Sequence, residues 1–176
     1  MDEKSERNVS IANDIDGSSI VIINDIRFRG KAWDEWDEIE EYPKQYVGEC
    51  YEILETSEVI YVGNDFPDEY VGSEYTAHLW KEEKRAKANA IQGIPEIIRI
   101  AGCKKIVTNE KDKHLKDAYL GWAIYKTKFA LPKYVQQFGE YKHVGYKLYY
   151  ADLLVRTESN GTLWLYDIIH ITKKKA

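Results

Sequence analysis

The feature that most constrains this chain is a change of period at Gly121. Beyond it, apolar and aromatic residues alternate with polar ones over residues 122–131, 146–157 and 162–172, whereas upstream they recur every three or four positions. A period of 2 sends successive side chains to opposite faces of a strand, and a period near 3.6 gathers them on one stripe of a helix. Pro132 is expected to close the first strand. Asn160-Gly161 is expected to join the last two as a two-residue hairpin turn, since both central positions of such a turn need positive φ. The chain therefore reads as α+β, with helices packed on a C-terminal antiparallel β-meander.

The N-terminal part reads as an acidic strand-helix-strand elaboration of that plan. Residues 1–17 are polar, contain Asp16-Gly17 and are expected to form a flexible arm, leaving 18–176 as a single domain. Ile20-Val21-Ile22-Ile23 suits a short buried strand, and residues 59–63 a second. Between them Trp33, Trp36, Ile39, Tyr46, Val47 and Cys50 step at helical spacing, with Pro43 expected to kink or split the helix and Gly48 to stop it. Residues 64–72, with Asp65-Phe66-Pro67-Asp68, read as a surface loop. Ser73 and Thr76 are N-cap candidates, residues 81–92 are rich in helix formers, and Pro95 suits the first turn of a helix running to Ala101. A further short helix is expected over 111–120.

Charge divides the chain after Trp80. Residues 1–80 hold 6 Lys/Arg against 20 Asp/Glu, and residues 81–176 hold 19 against 10. The acidic part, 18–80, can cover a basic partner surface or the chain's own basic part, and that basic part, 81–176, carries the minimum footprint for phosphate. Cys50 and Cys103 stand far apart without a CxxC, and the histidines lack ligand spacing, so neither a metal nor any other cofactor is called for. No apolar run approaches the roughly 18 residues of a membrane span, and the charged N-terminus is unlike a secretory signal, which points to the cytoplasm.

Three groups of residues carry the functional expectations. With Ser159 paired to Thr162, Arg156 would face Leu165 and Leu154 would face Asp167, gathering Asp152, Arg156 and Asp167 on one face as a salt-bridge knot or part of a site. Lys113-His114-Leu115-Lys116-Asp117 is the densest cluster of proton-transfer groups, and a histidine flanked by lysines is a general-base candidate. A metal-independent ribonuclease would use His114 as acid or base, Lys113 or Arg156 on the phosphorane, and Tyr125 as a third polar group. A binding module would instead present Trp33 and Trp36 as anchors among Asp34, Glu35, Asp37 and Glu38. The residues leave open whether the chain is an enzyme.

Several phrases in one order resemble a family. They include Ile26-Arg27-Phe28-Arg29-Gly30-Lys31, Asp65-Phe66-Pro67-Asp68-Glu69-Tyr70, Ser73-Glu74-Tyr75-Thr76, Lys87-Ala88-Asn89-Ala90-Ile91-Gln92-Gly93, Phe129-Ala130-Leu131-Pro132 and Leu165-Tyr166-Asp167-Ile168. Together they resemble the third type of large polyvalent protein-associated domain, a module of phage and mobile-element proteins. Lys128 stands where that family usually has an arginine, and Pro43 interrupts a stretch that is usually one helix. The resemblance implies an accessory protein of a phage or mobile element in the cytoplasm of a bacterial host cell, and the acidic N-terminal part with Trp33 and Trp36 adds the expectation of a protein-binding module. The partner would be a host or partner protein, such as a nucleic-acid-handling defence complex that it counters. The alternative is a ribonuclease of the barnase or RelE type, with RNA as its partner and a fold similar in outline.

Overall fold

The computed structural model describes residues 7–30, 33–108 and 121–175, with Trp33 described by its backbone alone. It is an α+β structure in which eight strands form one mixed sheet, curled into a half-barrel. These are β1 (Val9–Asn13), β2 (Ser19–Ile23), β3 (Cys50–Glu52), β4 (Val59–Tyr61), β5 (Gly102–Val107), β6 (Trp122–Gln137), β7 (Glu140–Thr157) and β8 (Leu163–Lys173). Their order is β1-β2-β6-β7-β8-β4-β3, with β5 also paired to β6. The expected meander is present as β6, β7 and β8, each antiparallel to the next. Parallel contacts of β2 with β6 and of β4 with β8 tie the N-terminal strands to both sides of it.

The helical segments cover the inner face of this sheet. Tyr125, Phe129, Tyr149, Leu153 and Val155 point inward and are buried with Ile91, Ile94, Ile97 and Ile98. The last three belong to α5 (Ile94–Arg99), which has Pro95 in its first turn as expected. Before it runs α4 (Lys81–Ala90), whose buried side is polar as well as apolar. Asn89 accepts from the backbone N–H groups of Arg27 (2.9 Å) and Phe28 (3.0 Å) and donates to the Phe28 carbonyl (2.7 Å). That clamp draws the strand-to-helix connection against α4. Gly30, at φ +75°, lies so near that a Cβ there would stand 2.9 Å from the Cα of Arg85.

Pro43 divides the first helix as expected. The α-helix α1 (Trp33–Glu41) gives way to a 3-10 turn over Tyr42–Tyr46, and Gly48 follows at φ +88°. Residues 64–72 correct the expected loop: α2 (Phe66–Gly72) buries Phe66, Pro67 and Tyr70. Pro67 was read as a loop former, but at the first turn of a helix its missing N–H costs nothing and its fixed φ is already helical. The short α3 (Glu74–Ala77) begins at Ser73, whose Oγ accepts from the N–H of Thr76 at 3.1 Å.

Three further expectations are corrected. Part of the expected arm, residues 9–13, is strand β1, hydrogen-bonded to β2 through a turn at 14–18. Lys128 holds that turn, donating to Asp14 (2.8 Å), to Asp16 (3.4 Å) and to the Ser18 hydroxyl. Pro132 does not close β6, which continues to Gln137 with Pro132 opposite Tyr146. The β2 ladder on β6 ends at Ala130, so Pro132 sits where the strand has become an edge and its missing donor is tolerated. At the last hairpin only Gly161 takes positive φ, and the Glu158 N–H bonds to the Thr162 carbonyl across a longer loop. The register near the turn is therefore one residue off the expected one, Arg156 facing Trp164 and Val155 facing Leu165. A bulge at Tyr166 then restores the expected pairing of Leu154 with Asp167.

Candidate functional site

The bulge decides where the charged residues of β7 and β8 go. Asp152, Arg156 and Asp167 do not form the expected knot but find three separate partners. Asp152 bonds to His170 Nδ1 at 2.8 Å, and Arg156 lies 3.3 Å from Asp65 with its guanidinium 5.6 Å from the Trp164 ring centre. Asp167, 1% exposed, bonds to the fully buried Lys87 of α4 at 2.5 Å. Lys87 also donates to the Thr76 hydroxyl at 2.6 Å, and its ammonium stands 4.7 Å and 5.1 Å from the ring centres of Tyr70 and Tyr75. The second carboxylate oxygen of Asp167 accepts from the Ser73 hydroxyl at 2.7 Å. Burial lowers the Lys87 pKa and raises that of Asp167, each against the pull of the other's charge.

This knot opens into a cleft of about 470 Å³ bordered by Glu69, Ser73, Tyr75, Trp122 and Tyr166. Serine beside a buried lysine invites a nucleophilic reading, which the hydrogen bonds oppose. The Ser73 proton is given to Asp167, and its oxygen caps α3. Lys87 is held by an anion and a hydroxyl rather than poised to accept a proton. Its evident work is to fasten α2, α3 and α4 to β8.

Of the ribonuclease candidates, the two that lie among the described residues, Tyr125 and Arg156, are not brought together. Tyr125 is buried on the inner face of β6 and donates to Glu58 at 2.9 Å. Arg156 belongs to the other face, because it pairs with Trp122 and Tyr125 pairs with Leu153. Lys113 and His114 lie outside the described residues. Among the described residues no three His, Cys, Asp or Glu side chains are placed to hold a metal ion, and no helix is long and apolar enough to cross a membrane.

The acidic candidates divide into two sets. Asp34, Asp37 and Glu38 are exposed, and with Glu41 they stand at i, i+3, i+4 and i+7, so the outer face of α1 is acidic throughout. Glu35 and Trp36 are committed inward instead: the Glu35 carboxylate accepts from the Gly30 N–H at 2.7 Å, and the half-buried Trp36 points its indole N–H at the Gly30 carbonyl. Trp36 is thus a packing residue rather than the expected exposed anchor. The side chain of Trp33 is outside what the structure describes. Glu40 beside this face has its pKa raised by burial and by the charge of Asp68 on α2, so the acidic surface continues across two helices.

A second surface was missed altogether. The β6–β7 ladder outruns the rest of the sheet, since β2 leaves β6 at Ala130 and β8 leaves β7 at Tyr149. Residues 131–148 form a two-stranded arm that turns at Phe138 and Gly139, both at positive φ. Reading Pro132 as a stop hid it. The available signal was the aromatic and β-branched residues Tyr134, Val135, Tyr141, Val144 and Tyr146 on both sides of Phe138-Gly139. Comparison with protein-family models, curated proteins and solved structures gives no match.

Proposed function

We propose that the chain is a protein-binding module, an accessory protein of the phage or mobile-element kind its sequence resembles. It acts in the bacterial cytoplasm, with the acidic N-terminal elaboration docking a basic surface of a host or partner protein. The observation that carries this reading is the outer face of α1. Four carboxylates share it, each facing another at i+3 or i+4, and among the described residues Glu41 bonds Lys44 while the other three bond no lysine. Like charges so spaced cost a helix about 0.2–0.5 kcal/mol per pair, a penalty that a basic partner reverses. A complex that handles nucleic acid presents such a basic surface, which supports an anti-defence role. The resembling phrases also meet in space. Ser73, Thr76, Lys87 and Asp167 share the buried knot, and Asn89 clamps Phe28, which supports reading them as one scaffold.

The test is capture of a partner from host lysate by the wild-type protein and by an Asp34→Lys, Asp37→Lys, Glu38→Lys variant. The variant should fold normally, since exposed charges contribute little to stability, and should lose the partner. Wild-type capture should weaken with added salt. Capture indifferent to the reversal overturns the reading, as would chelator-resistant RNA cleavage abolished by His114→Ala.

A further inference from the structure

The arm at residues 131–148 is built in a way that stability does not explain. Phe138 at its tip is 96% exposed and has φ +51°. A non-glycine residue there costs about 1–2 kcal/mol, and Phe138 recovers none of it by burial. An isolated two-stranded ribbon is marginal in water, so its length beyond the sheet adds a second cost.

The register sorts the arm's side chains. Tyr134 faces His143, Gln136 faces Tyr141 and Pro132 faces Tyr146, and these share one face. The rings form a continuous row: His143 lies 5.6 Å from Tyr134 and 5.0 Å from Tyr146, centre to centre. The row is braced at its base, where the Tyr146 hydroxyl donates to Asn24 at 3.0 Å and a His143 ring nitrogen bonds to the Gly145 carbonyl at 2.8 Å. At the far end Tyr141 is 76% exposed. Charge on the arm is basic, with Lys133, Lys142 and Lys147 against the single Glu140. Lys147 is tied to Glu82, while Lys133 and Lys142, opposite Gly145 and Val135, are exposed and alternate with the rings, so they start from the other face of the ribbon. Lys173 and Lys174 of the last strand and its exit border the same cleft as Lys133 and Tyr146.

We propose that this arm binds single-stranded nucleic acid, the bases stacking on the tyrosine and histidine row and the phosphates crossing the edge of the ribbon toward the cleft that Lys133 shares with Tyr146, Lys173 and Lys174. Aromatic rings on a sheet face with flanking cations are the chemistry that accepts unpaired bases without sequence preference. Same-face residues on a strand repeat at about 6.6–6.8 Å, twice the roughly 3.4 Å rise of a stacked strand. The arm therefore suits an extended, unstacked chain, and a duplex, whose bases are not free to stack, fits it poorly. The site is separate from the acidic face of α1.

Fluorescence polarisation with labelled oligouridine and oligothymidine of about 12 nucleotides, a length within the usual site size of such platforms, tests this directly. Binding is expected at low salt and should fall as salt rises. Tyr134→Ala and Tyr141→Ala should each weaken it on the order of tenfold, while Tyr141→Phe keeps the ring and should bind like wild type. Lys133→Glu should weaken binding and flatten its salt dependence. Both tyrosines are exposed, so unchanged melting curves are expected to accompany the loss. No binding to either oligonucleotide, equal affinity for a duplex, or wild-type affinity in the double alanine variant overturns the proposal. So does a protein captured from nuclease-treated lysate that the double variant fails to hold, which would assign the arm to a protein partner. The acidic reversal on α1 should leave oligonucleotide binding intact or stronger, so failure here and failure of the protein-docking reading are distinguishable.

Discussion

The helical end and the arm handle mismatched groups in opposite ways. At the helical end a lysine and an aspartate have been taken wholly out of water, and hydrogen bonds meet both of them. On the arm aromatic rings have been left in water, with Phe138 held in an unfavourable backbone conformation as well. A buried charge that is paired is explained by the fold that surrounds it. An exposed ring on a strained turn is explained by nothing inside the molecule. The difference separates residues that make this structure from residues the structure presents.

The largest expected effect comes from opening the knot. Lys87→Ala leaves the Asp167 carboxylate buried without its cation and should destabilise the protein by about 3–5 kcal/mol, read from urea denaturation. A Lys87→Met, Asp167→Leu double variant removes both charges and should recover most of that loss. If the single variant costs under about 1 kcal/mol, the knot is not what fastens the helices to β8.

Gly30→Ala ranks next. The added methyl would press on the Arg85 backbone at 2.9 Å in a conformation that already disfavours it, and a loss of about 1–3 kcal/mol is expected. Phe138→Asn should act in the other direction. Asparagine tolerates the left-handed region, so the variant should be more stable by up to about 1 kcal/mol. A melting temperature that falls instead would mean that Phe138 contributes to the fold and would remove the contrast between the two regions.

How far this was legible from the sequence depends on how local each cause is. The meander, the division of the first helix at Pro43, the Ser73 cap and the Pro95 helix start are set by neighbours in sequence, and each appears where expected. Pro67 and Pro132 were misread for one reason: whether proline is tolerated depends on whether its missing donor would have had a partner. For Pro132 that turned on where β2 stops, more than a hundred residues away in sequence. The knot was half visible. Asp167 was singled out as a charge on an apolar face, but its partner Lys87 lies 80 positions upstream, and a bulge that no residue type announces aimed the carboxylate at it. Trp36 reads as an exposed anchor from its acidic neighbours in sequence, yet the close approach of Gly30 to α4 gives its ring a place to pack.

The smallest effect tests a second place at the helical end where like charges are left facing each other, beside the outer face of α1. Burial, then the Asp68 charge, raises the Glu40 pKa above its ordinary 4.5. A carboxyl that binds its proton more tightly in the folded state favours folding while protonated, so its contribution is fully present below the unfolded value. That contribution is lost as pH rises through the folded value. Glu40→Gln removes the titration and keeps a group that can donate to Asp68. The variant should therefore match wild type near pH 3 and exceed it by a few tenths of a kcal/mol at pH 7, seen as a shift in urea midpoint. A difference of the same size at both pH values would mean that packing, and not charge, distinguishes the two side chains. The contact of Glu40 with Asp68 would then store no repulsion for a basic partner to relieve. If the pH 7 gain appears and partner capture weakens with it, the same repulsion that costs the free protein stability is what its partner reads.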